Sequence, residues 1–194
     1  MAEKILVLGI NGSPNKKGKT TKLLKKVLEA IEKYGAKTTL INLYEKNIRP
    51  CLGCYSLGAK KCRYPCIIKD GMWDLYKILE KIDILVLATP TYWFNMSGMM
   101  KNFIDRLCCM ENNGFLLQGK MAILVASEED EGAMMALSSM AMALNHMGFI
   151  VMPYCIYAPS FESGVNWVPE TIKFISKKAI EMAHAFRKIN WQEK

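Results

Sequence analysis

The sequence lacks any apolar run long enough to cross a membrane. Its most apolar stretches, Ile84 to Ala88 and Met121 to Ala126, have the length of strands. The first apolar run, Ile5-Leu6-Val7-Leu8, begins too early and is too short for a secretory leader, so the expected location is the cytoplasm, without membrane attachment. Histidine is nearly absent: His146 and His184 stand alone on helical stretches and read as surface or packing positions, not as metal ligands or catalytic bases. No pair of carboxylates is placed for acid–base work, and no single catalytic side chain is nominated. Internal repeats and linkers are missing as well. With 194 residues, 51% of them hydrophobic, the chain is expected to form one domain over residues 1–194. The formal charge is +8, yet the lysines scatter over the first and last helical stretches as on solvated faces, and no nucleic-acid-reading motif accompanies them. Nucleic-acid binding is therefore not expected; the charge suits steering of anionic partners.

What the sequence does have is a polar, hydroxyl-rich loop, Gly9 to Thr21, between the branched apolar run Ile5–Leu8 and helically spaced Leu23, Leu24, Val27, Leu28 and Ile31. A strand that feeds a helix through such a loop aims the helix's first N–H groups and the positive end of its dipole at the loop. Gly12, Ser13, Asn15, Lys19, Thr20 and Thr21 then form a candidate phosphate cradle. Gly18-Lys19-Thr20 matches the end of the nucleoside-triphosphate P-loop, but that pattern needs glycine at position 13, where Ser13 stands. The run Ile84 to Ala88 ends in Thr89-Pro90 where a magnesium-binding aspartate would be expected, so a nucleotide-binding protein is only a remote alternative. No G-x-G-x-x-G follows the first strand and no acid closes the second, which sets aside a dinucleotide site. A single terminal phosphate, as on FMN, fits best.

Along the chain, Gly35 sits where a helix ends and Thr38–Leu43 supplies a second strand. Periodicity fails from Tyr44 to Asp70, which is read as an inserted functional loop. A helix from Met72, the strand Ile84–Ala88, a helix over Gly98–Cys109, the strand Met121–Ala126 and a methionine-rich helix over Gly132–Met147 follow. Phe149–Ile156, interrupted by Pro153, supplies a fifth strand, and Thr171–Ile189 a last helix with Pro169 near its start. This alternation predicts an α/β fold, a doubly wound five-stranded parallel sheet in the flavodoxin-like order 2-1-3-4-5, with the cysteine-bearing insertion (44–70) after strand 2.

In such a sheet, ligands bind beyond the carboxyl ends of strands 1 and 3. The loop there, Pro90, Thr91, Tyr92, Trp93, Phe94, Asn95, Met96 and Ser97, mixes a rigid proline, three aromatics and small hydroxyls, as an isoalloxazine ring requires. The same rings would also suit a core or a subunit interface. The acidic loop Ser127 to Gly132 is read as complementing a helix dipole. Methionines 134, 135, 140, 142 and 147 read as core or interface.

Four of the seven cysteines, Cys51, Cys54, Cys62 and Cys66, follow the spacing Cys-x2-Cys-x7-Cys-x3-Cys. In a reducing compartment such a cluster points to thiolate ligation of a metal; the residues alone leave a 4Fe-4S cluster and structural zinc both open.

Ser13-Pro14-Asn15 through Thr20-Thr21, the segment ending Cys66-Ile67-Ile68-Lys69-Asp70, and Ala88-Thr89-Pro90-Thr91-Tyr92-Trp93 through Met99 to Arg106 resemble the NAD(P)H-dependent FMN reductase family, especially its iron-sulfur flavoprotein branch. The resemblance reaches to about residue 150. It implies an FMN-dependent oxidoreductase that uses NAD(P)H or a ferredoxin-like donor. It assigns the loop Pro90 to Asn95 with Ser97 to the flavin, lets Ser127 reach it, and favours a 4Fe-4S cluster over zinc on the four cysteines. It also implies a homodimer or homotetramer that passes electrons to a redox partner protein or a small-molecule acceptor. The branch's compact motif has a third cysteine with two residues between it and the second, where this chain has Leu57. A non-enzymatic electron carrier between redox proteins is the alternative from another class.

Overall fold

The computed structural model describes residues 3–158, 168–189 and 191; the ends of the expected 1–194 domain and residues 159–167 lie outside the described residues. Strands β1 (Leu6–Asn11), β2 (Lys37–Asn42), β3 (Ile84–Tyr92) and β5 (Met121–Ser127) are parallel and lie in the order β2-β1-β3-β5. The fifth position is shared by β6 (Ile150–Val151) and β7 (Ile156–Ala158), each parallel to β5, so the expected fifth strand is split around Pro153. Proline has no N–H to give to the ladder, and the chain leaves the sheet where it stands. β4 (Asn95–Met96), which the sequence did not announce, folds back antiparallel on the end of β3.

Alternation along the three central strands feeds two cores. Leu8, Ile10, Leu85, Leu87, Ala122 and Leu124 face helices α2 (Met72–Leu79), α3 (Gly98–Arg106), α4 (Cys108–Asn112) and α5 (Ala133–His146). Val7, Ile84, Val86, Ala88, Ile123 and Val125 face α1 (Lys19–Glu32) and α6 (Val168–Phe186). Each such aliphatic side chain stabilises the fold by about 1.5–3 kcal/mol when fully buried, which is why these strands read as continuous apolar runs. α1 buries Leu23, Leu24, Val27, Leu28 and Ile31 while Lys22, Lys25 and Lys26 stay exposed. Gly35 closes the turn after it with φ +87°, a conformation glycine adopts without penalty.

The helix expected over Gly98–Cys109 breaks at Leu107 into α3 and α4. The break sets α4 against the insertion: Asn112 Nδ2 donates to the carbonyls of Ala59 and Cys62, and Asn113 Nδ2 to that of Cys62. The insertion has no α-helix or strand and forms short helical turns at Cys54–Leu57 and Ala59–Lys61. Among the described residues no helix is long and apolar enough to cross a membrane.

Candidate active site and thiol-lined cavity

Three loops leave the carboxyl ends of β1, β3 and β5 side by side, and hydrogen bonds join them. In the first, Asn11 is fully buried: its Oδ1 accepts from Ser13 N at 3.1 Å, and its Nδ2 donates to Thr21 Oγ1 at 2.8 Å and to Asn42 Oδ1 at 2.9 Å. Thr21 Oγ1 in turn donates to the Asn15 carbonyl at 2.8 Å, and Ser13 Oγ accepts from Asn15 N at 3.2 Å. The loop is thus held in shape by its own polar side chains. Gly12 N donates to the Ala88 carbonyl at 2.8 Å, and a Cβ at Gly12 would come within 3.0–3.1 Å of the Met100 side chain, so the first loop is pressed onto the second through a glycine.

α1 begins after Gly18 with no side-chain cap and no acidic residue in its first turn. Its first N–H groups have no intrahelical acceptors, which leaves the electrostatics of that end to an anion. Thr20 Oγ1 lies 2.7 Å from Ser127 Oγ, which ties the first loop to the third, and Lys19 Nζ reaches Glu129 Oε1 at 3.5 Å. Ser97 Oγ donates to the Gly12 carbonyl at 2.7 Å and accepts from Met100 N at 3.2 Å as the cap of α3. Ser97 is buried, so its hydroxyl positions the cradle from behind.

β3 runs past the expected Ala88 to Tyr92 and turns into β4 through Trp93 (φ +47°) and Phe94 (φ +61°). Left-handed backbone at two successive aromatic residues costs energy that surrounding contacts must offset. Tyr92 and Phe94 are half exposed and Trp93 is 94% exposed, so the rings do not serve the core. Thr91 Oγ1 is buried with no hydrogen-bond partner among the described residues, and Asn95 Oδ1 accepts from Met96 N. Gly132 supports this hairpin from the third loop: its φ is +101° and an added Cβ would meet Phe94 Cα at 2.8 Å. Gly132→Ala should therefore lower stability by about 1–3 kcal/mol and shift the hairpin; a thermal unfolding curve matching wild type would refute the packing. Glu128 accepts from Ala133 N at 2.7 Å, the helix-complementing role expected of the acidic loop.

A second site lies in the insertion. One cavity of about 80 Å³ is lined by Cys51, Cys54, Cys62 and Cys66, and also by Cys108 and Cys109. Cys62 Sγ is 3.9 Å from Cys108 Sγ. Burial, then the neighbouring Cys108 thiol, pushes the Cys62 thiol up to about 12, so the metal-free thiol is protonated. Burial likewise raises Cys109 to about 11; its S–H donates to the Arg106 carbonyl at 3.5 Å. Gly53, with φ +63°, donates its N–H to Cys51 Sγ at 3.4 Å. Among the described residues no three Cys, His, Asp or Glu side chains are already gathered within ligating distance. The donor set nevertheless suits a thiophilic metal: soft sulfur donors around one cavity, with Lys61, Arg63 and Arg106 on its walls to offset thiolate charge.

The insertion is fixed by a buried ion pair. Arg106 Nη1 lies 2.7 Å from Asp70 Oδ2 and Nη2 lies 3.2 Å from Oδ1, while the same guanidinium donates to the carbonyls of Arg49 and Ile68. Arg49 N and Met72 N also donate to Asp70. The two residues fall in two of the segments that carried the family resemblance, and the fold shows why both segments matter: they meet here.

The structure therefore brings together Gly12, Ser13, Asn15, Lys19, Thr20, Thr21, Ser97 and Ser127, with the hairpin Pro90–Asn95 beside them. It adds Cys108 and Cys109 to the four cysteines that the spacing singled out, and it reveals Asn11, Asp70 and Arg106 as positioning residues. Asn11 had a local signal, since a polar residue ending a buried strand needs partners.

Comparisons with known proteins identify the family and the fold. Residues 5–163 match the model of the NADPH-dependent FMN reductase family. An iron-sulfur flavoprotein of Archaeoglobus fulgidus is 30% identical over 161 residues, 81% of this chain and 76% of that protein. A second iron-sulfur flavoprotein of the same organism is 36% identical over 100 residues, 52% of this chain and 44% of the other. Among solved structures, RosB with bound 8-demethyl-8-formylriboflavin-5'-phosphate superposes with a TM-score of 0.80 at 20% identity, over 97% of this chain and 82% of that one, a likeness of fold.

Proposed function

Because the chain belongs to the NADPH-dependent FMN reductase family and its iron-sulfur flavoprotein branch, we propose that this FMN-binding oxidoreductase takes electrons from NADPH, NADH or a ferredoxin-like donor and delivers them through a 4Fe-4S cluster in the insertion. The observation that carries the reading is the joining of the three strand-end loops by the Thr20–Ser127 and Ser97–Gly12 hydrogen bonds at the carboxyl edge between β1 and β3.

In this reading the uncapped start of α1, with Ser13, Asn15, Lys19, Thr20 and Thr21, holds the phosphate, and Gly12 lets the loop lie close to β3. Pro90, Thr91, Tyr92, Trp93, Phe94 and Asn95 would bound the ring, and Ser127 backs Thr20 at the phosphate end. Bound FMN would supply the electron-accepting chemistry, and the chain would hold and orient it. The insertion thiols hold the cluster, and Lys61, Arg63 and Arg106 offset its charge. Exposed Met134, Met135, Met142 and Trp93 support a homodimer or homotetramer. The free thiols suit a reducing, cytoplasmic compartment.

The test is an absorption spectrum of protein purified without oxygen, followed by NADPH or NADH. Flavin bands riding on broad, reducible absorption, with bleaching on addition of the nicotinamide, are expected. Flavin bands that bleach without the broad component would remove the cluster and leave zinc or bare thiols. Flavin that neither nicotinamide reduces would instead make the protein an electron carrier between redox partners. A colourless protein that takes up no FMN would overturn the reading.

A further inference from the structure

The cysteines around the insertion's cavity divide by position. Cys62 and Cys108 are in contact at 3.9 Å, on a cavity that Cys51 and Cys54 also line. Cys66 instead lies with the deeply buried Cys109, whose S–H is spent on the Arg106 carbonyl. We propose that Cys108, which lies outside the insertion, is a ligand of the thiolate metal centre and completes the set Cys51, Cys54 and Cys62 in place of Cys66.

Two observations support this. First, the contact between Cys62 and Cys108 is built into the fold. The Cys62 carbonyl accepts from Asn112 Nδ2 at 2.9 Å and from Asn113 Nδ2 at 2.8 Å, so the end of α4 grips the residue whose sulfur faces the start of that helix. The two thiols therefore move as one unit. Second, the turn between Cys51 and Cys54 is closed on its own sulfur, because Gly53 in left-handed backbone directs its N–H onto Cys51 Sγ. The assignment rests on the metal reading above, whether iron-sulfur or zinc fills the site. As the sulfur–metal bonds form, the thiol protons pass to solvent; zinc changes no oxidation state, and a cluster assembled from ferrous and ferric iron in equal amounts with sulfide needs no further oxidant.

The protein would be loaded anaerobically with equal amounts of ferrous and ferric iron and sulfide, or with zinc, and its metal content measured alongside Cys108→Ser and Cys66→Ser, with circular dichroism to verify folding. Cys108→Ser is expected to bind metal at least about tenfold more weakly, and Cys66→Ser to bind as wild type does. A second measurement needs no variant: metal loading of wild type should protect Cys108, and not Cys66, from iodoacetamide, read by peptide mass spectrometry. Wild type that binds neither metal overturns the metal reading and the assignment together. Metal bound by wild type but kept fully by folded Cys108→Ser, or equal alkylation of Cys108 with and without metal, overturns the assignment alone.

Discussion

Replacing Asp70 by Ala should lower the stability of this protein by about 3–5 kcal/mol, because removing one member of a buried ion pair leaves the other charge without its counter-ion. Both side chains are almost wholly inaccessible, and Ala would strip the Arg106 guanidinium to its two carbonyl partners while orphaning the N–H groups of Arg49 and Met72. Asp70→Asn keeps the shape and loses the charge, and should fall between wild type and Ala. Urea unfolding measures the cost; a loss below about 1 kcal/mol would show that the pair is no more than a surface bridge. The same pair predicts acid sensitivity. Burial alone would raise the Asp70 carboxyl, but Arg106 and the two backbone N–H donors outweigh it and hold the group below its ordinary 3.8. A depressed carboxylate contributes stability that is complete above the ordinary value and is lost as pH falls through the lower folded value. The acid arm of the wild-type stability profile below pH 3.8 should therefore flatten in Asp70→Asn.

That ion pair also marks the boundary of what the sequence can tell. β1, β3 and β5 were legible because strands buried on both faces must be apolar throughout, and α1 and α2 because one-sided burial imposes a helical period on Leu23–Ile31 and Met72–Leu79. The strand-to-helix loop Gly9–Thr21 was legible because its signals are local: hydroxyls, glycines and a helix start lie within one short segment. Asp70 and Arg106 are 36 positions apart, and nothing local distinguishes a charge that will be buried and paired from one that will be solvated. Cys108 was hidden for the same reason, since only the break at Leu107 sets α4 against the insertion, and Leu107 carries no breaker chemistry. The β3–β4 hairpin escaped notice because its left-handed residues are Trp93 and Phe94, where a turn of that kind is ordinarily announced by Gly or Asn. Its support comes from Gly132, which is distant in sequence.

Substituting Ser13 and Thr20 together by Ala should weaken FMN binding by about 100-fold or more. Each hydroxyl that donates to a charged oxygen contributes about 1.5–3 kcal/mol, so two lost donors remove at least about 3 kcal/mol. The pair is chosen from the loop's internal wiring. Thr21 donates to the Asn15 carbonyl and accepts from Asn11, so changing it would collapse the loop as well as remove a donor. Ser13 Oγ makes only long contacts with Asn15, at 3.2 and 3.5 Å, and can turn toward an anion without dismantling the cradle. Thr20 meets Ser127 Oγ at 2.7 Å, and a hydroxyl pair can reorient, with Ser127 donating to Thr20 while Thr20 donates to the phosphate. Ser127→Ala then separates the two roles of that pair: it leaves Thr20 its donor and should weaken FMN binding by less than tenfold. Fluorescence titration of the apoprotein measures all three constants. If the double variant binds FMN as tightly as wild type, the phosphate lies elsewhere than at the start of α1. If Ser127→Ala is as damaging as the double variant, the serine contacts the flavin itself.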